Sequence, residues 1–157
     1  MYHMILALLV LALAGCNTAA TRDVNSPEYE IPHGSKIVLV RALDIPSGYS
    51  HIYLQDGVQS TGADEYTVSC RFETRNLGPA TIQPDTFMIR ETSSMQNWVS
   101  RPDSMRFYRE FRIDSGKQPD VLKFVCQYVG EPLSGRPVSV PEMEKAVGTY
   151  VHFEFAP

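Results

Sequence analysis

From Lys36 to the end of the chain, apolar residues recur at alternate positions in short runs, separated by clusters of Gly, Pro, Ser and Asp. Period two is the mark of a strand with one buried face. Tyr66, Val68, Cys70 and Phe72 alternate with Thr67, Ser69, Arg71 and Glu73. Met105, Phe107, Phe111 and Ile113 share one parity, and Leu122, Phe124, Cys126 and Tyr128 share another. Val151, Phe153 and Phe155 close the chain on a third. Ile37 to Val40 and His51 to Gln55 are further strand candidates, with Asp85 to Arg90 a weaker one; turn signals fall at Pro46-Ser47-Gly48, Asp56-Gly57 and Ser115 to Pro119. One stretch departs from the alternation. Ser139 as a cap, Pro141 in the first turn, Glu142 and Glu144 near the start and Gly148 as a stop predict a helix over 140–147. The pattern predicts an antiparallel all-β domain, a β-sandwich or an open barrel, with one short C-terminal helix.

The first sixteen residues follow another rule. Met4 to Gly15 has no charge and no strongly polar group, and it ends in small residues. This is the apolar core of a secretory signal. It is shorter than the roughly 20 apolar residues a membrane span needs. Its end, Leu13-Ala14-Gly15-Cys16, resembles the lipobox of bacterial lipoproteins. The resemblance implies cleavage before Cys16 and transfer of a diacylglyceryl group to the cysteine sulfur. It departs from the usual signal in one respect, since Met1-Tyr2-His3-Met4 carries no Lys or Arg. Position 17 is Asn; in the lipoprotein family an Asp there resembles an inner-membrane retention signal, so Asn17 implies the outer membrane. A lipoprotein cysteine carries several acyl chains, and at roughly 0.8 kcal/mol per buried methylene such an anchor is stable where one chain alone is marginal.

Residues 1–15 are thus expected as a cleaved signal peptide, 16–35 as a lipidated cysteine with a flexible tether, and 36–157 as a single β-rich periplasmic domain. The stretch after Cys16 is polar, contains Pro27, Pro32 and Gly34, and shows neither period. About 18 such residues span about 25 Å on average. Tyr29 and Ile31 are the residues there that would bury if part of the tether packed on the domain.

Composition adds the compartment and removes some functions. The chain has 157 residues, 43% of them hydrophobic, so it is long enough for one folded domain. Its net charge of -4 argues against attraction to nucleic-acid phosphates or anionic lipid surfaces. Of three cysteines, lipidation of Cys16 leaves Cys70 and Cys126, an even number expected to form a disulfide in an oxidising compartment. Two buried free thiols are the alternative.

Chemistry is sparse. The histidines, His3, His33, His51 and His152, have no metal-binding spacing, and there is no nucleophile elbow, phosphate-binding Gly-rich loop or Cys-x-x-Cys motif. No catalytic residue, metal ligand or cofactor is nominated, and the chain is read as a non-enzyme. Arg106, Tyr108, Glu110 and Arg112 line the polar parity of one strand near Arg101 and Lys123, and Arg106, Tyr108 and Arg112 make a candidate binding face for carboxylates, phosphates or glycans. A solvated sheet face explains the same residues. Trp98, the only tryptophan, is expected in a loop, either as a recognition residue or folded back over the core. The function expected is a membrane-anchored envelope lipoprotein that acts as a non-catalytic interaction or assembly protein with an envelope protein partner. A binding module for an envelope glycan, peptide or lipid is the alternative.

Overall fold

The structure, a computed structural model, describes residues 22–157. The expected signal peptide, lipobox and lipidated Cys16 lie outside the described residues. The alternating segments fold as strands β1 (Lys36–Leu39), β2 (Leu43–Ile45), β3 (His51–Gln55), β4 (Val58–Ser60), β5 (Ser69–Thr74), β6 (Ala80–Ile82), β7 (Asp85–Trp98), β8 (Met105–Asp114), β9 (Val121–Gly130) and β10 (Val151–Glu154). Helix α1 (Val140–Val147) and a single 3-10 turn (Gly148–Tyr150) precede β10. Eight strands form one antiparallel sheet in the order β10-β1-β7-β8-β9-β5-β3-β4, while β2 and β6 pair as a separate ribbon. The sheet curls into a half-barrel. The open-barrel form of the expected architecture is therefore the one adopted.

A curled sheet hides its concave face only if something fills the mouth. Phe72, Phe87, Phe111 and Phe124 meet there, with ring centroids 4.8 Å apart for Phe72 and Phe124 and 5.5 Å for Phe72 and Phe87. Leu43 and Ile45 of β2 and Ile82 of β6 are buried in the same core. Helix α1 lays Val140, Met143, Ala146 and Val147 onto it. At its C-terminus the Gly57 amide, in the β3–β4 turn, donates to the Ala146 carbonyl at 3.0 Å. Gly148 ends the helix at φ 54°, and a Cβ there would stand 2.6 Å from the Gly57 Cα. Only glycine meets both demands. The helix thus latches one end of the sheet, at the β3–β4 turn, to the other, at β10.

Four local departures from the alternation have identifiable causes. The strand expected from Tyr66 begins at Ser69, leaving Tyr66 exposed. The Asp64 carboxylate accepts the Tyr66 amide, and the Gln55 side chain bonds both Asp64 and Thr67, so local side-chain bonds displace the ladder. Leu122 is exposed and Val121 buried, because the β5–β9 register shifts beside Thr74 and inverts the parity. Strand β7 does not stop at Arg90 but runs to Trp98, past a register shift between Ile89 and Glu91. The Met95–Trp98 stretch is therefore strand, not loop. Finally, the domain begins before Lys36: Ile31 is buried, and the Tyr29 ring stands edge-on to Phe155 with centroids 5.7 Å apart.

Cys70 and Cys126 face each other directly across β5 and β9 and form a disulfide at the centre of the core. It closes a loop of 56 residues, worth about 4 kcal/mol in the chain-entropy account. Thiol labelling of the unfolded, unreduced chain should find Cys70 and Cys126 blocked, and replacing both by Ser should lower unfolding free energy by about 2–5 kcal/mol; two labelled thiols would contradict this arrangement.

A second prediction concerns the helix. Burial by itself would raise the Glu142 pKa, but hydrogen bonds from Arg136 and from the Ser139 amide and hydroxyl outweigh it and hold the carboxyl below its ordinary value. A lowered folded-state pKa adds stability that is fully present above the unfolded value and is lost as pH falls through the folded one. Glu142→Gln should cost on the order of 1 kcal/mol at neutral pH. In denaturant titrations this difference should shrink once the pH drops below about 4.5, the ordinary glutamate value. A pH-independent difference would contradict the assignment.

Candidate functional site

The polar face nominated from sequence is placed by β8. Arg106, Tyr108 and Arg112 do share one face of the sheet, where their register partners on β9 are Val129, Gln127 and Lys123. Trp98 pairs with Met105, on the opposite parity, so it does not join them. It is exposed at the end of β7 and does not fold over the core. Arg106 forms no ion pair among the described residues and its Nε is buried without a hydrogen-bond partner, but the other charges on the face are balanced in pairs: Arg112 with Glu91 at 3.6 Å, Lys123 with Glu110 at 2.9 Å, and Arg71 with Glu73 at 2.8 Å. Arg101 reaches Glu65 and the Tyr66 hydroxyl. Such a ladder of opposite charges offers little to an anionic polymer.

The more deeply buried of the two arginines with an unpartnered nitrogen lies on the other face. Along β8 the concave parity reads Phe107, Arg109, Phe111, Ile113, and Arg109 is only 3% exposed. It stands opposite Ser94 of β7 and reaches across that strand. Its Nε donates to Ser94 Oγ at 3.2 Å, and its Nη2 donates to the Pro27 carbonyl at 2.7 Å, in the segment before β1. Nη1 is buried without a hydrogen-bond partner. Burial lowers the pKa of Arg109 from its ordinary value, and the Glu28 carboxylate partly restores it. A buried guanidinium donor left unpaired is costly, which marks the place for functional scrutiny.

Above Arg109 lies a hollow of about 350 Å³, bounded by Glu28, Tyr29, Glu30 and Ile31 on one side and Thr92 and Ser94 on the other. A second hollow of about 240 Å³ continues past Ser94, Met95 and Gln96 to Phe107 and Gly135. Ser94 and Pro137 belong to both. They form one groove along the outer half of β7.

That half of β7 is an open edge. Strand β1 pairs with β7 only from Asp85 to Met88, whereas β8 pairs with it as far as Trp98. The Ile89 amide still finds an acceptor on that side, the Ser35 carbonyl at 2.9 Å. At the tip the Val99 amide donates to Ser104 within the β7–β8 hairpin, at 3.2 Å. Antiparallel pairs alternate between bonded and non-bonded, so Trp98, Gln96, Ser94 and Thr92 direct their main-chain groups away from β8. Among the described residues no main-chain group meets them. Natural edges are blunted by Pro, Lys or charge. From Glu91 to Trp98 there is neither Pro nor Lys, and Glu91 is the single charge.

No family model, curated protein or solved structure matches the chain. The site therefore rests on its geometry alone. Among the described residues no three His, Cys, Asp or Glu side chains converge as a metal site, and no helix is long and apolar enough to cross a membrane. Arg109 was missed in the alternation although the signal is present: the row Met105, Phe107, Phe111, Ile113 skips one position of its own parity, and an arginine fills it. The open edge carries no such signal, because it depends on where a neighbouring strand ends.

Replacing a buried charge by an apolar residue of similar volume is often neutral or favourable, because the desolvation penalty disappears with the charge. Arg109→Met should leave unfolding free energy within about 1 kcal/mol of the parent. Limited proteolysis should cut the segment around Pro27 faster in the variant, since its carbonyl loses Nη2. A loss of 3 kcal/mol or more would make Arg109 a structural residue.

Proposed function

We propose that this protein is an envelope lipoprotein, processed before Cys16, held by its lipid on the periplasmic side of the outer membrane, and acting without catalysis as a docking protein. The half-barrel is the rigid base, and the outer half of the β7–β8 hairpin is the element offered to an envelope protein partner. The open edge from Thr92 to Trp98 carries this reading: it combines unmet main-chain groups with exposed Met95 and Trp98. Such a strand gains most by pairing with another chain. The hollow lined by Arg109, whose Nη1 is buried without a partner, favours a second reading, a binding module for an envelope glycan, peptide or lipid.

Two experiments separate the parts of the proposal. Cys16→Ala should abolish acylation and yield an unprocessed or soluble protein; the same membrane fractionation and mass pattern as the parent would remove the anchor. A photo-crosslinking residue placed at Gln96 should capture a reproducible protein partner in the native envelope, whereas one at Val58, on the opposite edge strand, should not. Equal capture from both positions would refute the hairpin as the docking element.

A further inference from the structure

Resting on that docking reading, we infer that the partner presents an extended, basic polypeptide segment, which adds to the sheet as a strand along the outer edge of β7. Four observations converge on this chemistry. Thr92, Ser94, Gln96 and Trp98 turn their main-chain N–H and C=O groups outward with no main-chain partner among the described residues. Strand addition satisfies such a row rung by rung and requires an extended chain, not a helix. The groove follows the same residues, with Thr92, Ser94 and Gln96 along its wall.

Arg109 supplies the second element. Its guanidinium already holds one main-chain carbonyl, that of Pro27, on the far side of β7. The adjacent Nη1, buried and unpartnered, suits another carbonyl of the same kind. An acidic group would also satisfy it, but the rim decides between them. Glu28 and Glu30 bound the hollow, both are exposed, and neither forms an ion pair among the described residues. Arg136 also lines the groove, but Glu142 already pairs with it at 2.8 Å; the unpaired rim carboxylates then outnumber the buried Arg109 cation, which disfavours an anionic ligand and favours Lys or Arg side chains beside a neutral main-chain acceptor.

The test is selection from a library of random short peptides against the full-length protein in detergent, followed by fluorescence anisotropy of the selected sequences. Enriched peptides should alternate β-branched residues with Lys or Arg. Gln96→Pro removes one outward N–H without touching the β7–β8 ladder, a substitution edge strands accept. It should weaken the selected peptides at least about tenfold with an unchanged melting temperature. Glu28→Gln with Glu30→Gln should weaken them several-fold, and more at low salt than at high salt. Selection of acidic or helical peptides, no enrichment at all, or affinity unaffected by Gln96→Pro in a folded variant would overturn the inference. A sedimentation shift from dimer to monomer on Gln96→Pro, without peptide binding, would assign the edge to a second copy and overturn it as well. If Gln96 crosslinking in cells still captures a protein while the library fails, the docking reading stands and only the basic-strand inference falls.

Discussion

Strand β7 has two neighbours of very different reach: β8 accompanies it to Trp98, but β1 leaves it after Met88. A strand held on both sides is part of the core scaffold, and one held on a single side exposes hydrogen-bonding groups that water alone serves. The mismatch therefore divides the sheet. From Asp85 to Ile89 the strand buries Phe87 and Ile89 against the phenylalanine cluster. Beyond the register shift at Ile89 and Glu91 it becomes the outer strand beside β8 and β9, which stay paired as far as Met105, and its side chains change from apolar to Thr, Ser, Gln and Asn.

The scaffold end is fixed by several devices acting on one core. The Cys70–Cys126 disulfide ties β5 to β9 where Phe72 and Phe124 also pair. Helix α1 closes the mouth and is itself held by the Arg136–Glu142–Ser139 network at its start and the Gly57–Gly148 contact at its end. The segment before β1 docks through Ile31 and Tyr29 and through the Arg109 bond to Pro27. A rigid base of this kind limits the entropy lost when an open edge takes up a partner. Arg109 joins the two regions, since its backbone belongs to the core face of β8 while its guanidinium lies at the edge of β7.

Much of the fold was legible in the sequence because burial on one face writes period two into the chain. The β8 parity and the Cys70 and Cys126 positions follow from it, while the helix at 140–147 is marked by its own cap, proline and glycine signals. What the alternation hid was set by interactions at a distance. The outer half of β7 is exposed on both faces, so no parity marks it as strand. The bulge beside Thr74 reversed the apparent orientation of Leu122, and the Asp64 and Gln55 side chains shortened β5. Arg106, Tyr108 and Arg112 do share a face, yet the Glu91 carboxylate that pairs with Arg112 comes from another strand. Trp98 was separated from it by a strand register that its own neighbours do not encode.

Residue-resolved amide hydrogen exchange of the uncomplexed protein tests the open edge most directly. The amides of Thr92, Ser94, Gln96 and Trp98 should exchange rapidly, while those of Ser93, Met95 and Asn97, turned toward β8, should be protected. Protection of all seven amides would mean that the outer side of β7 is already covered, and the edge could not be the surface on which this protein receives a partner.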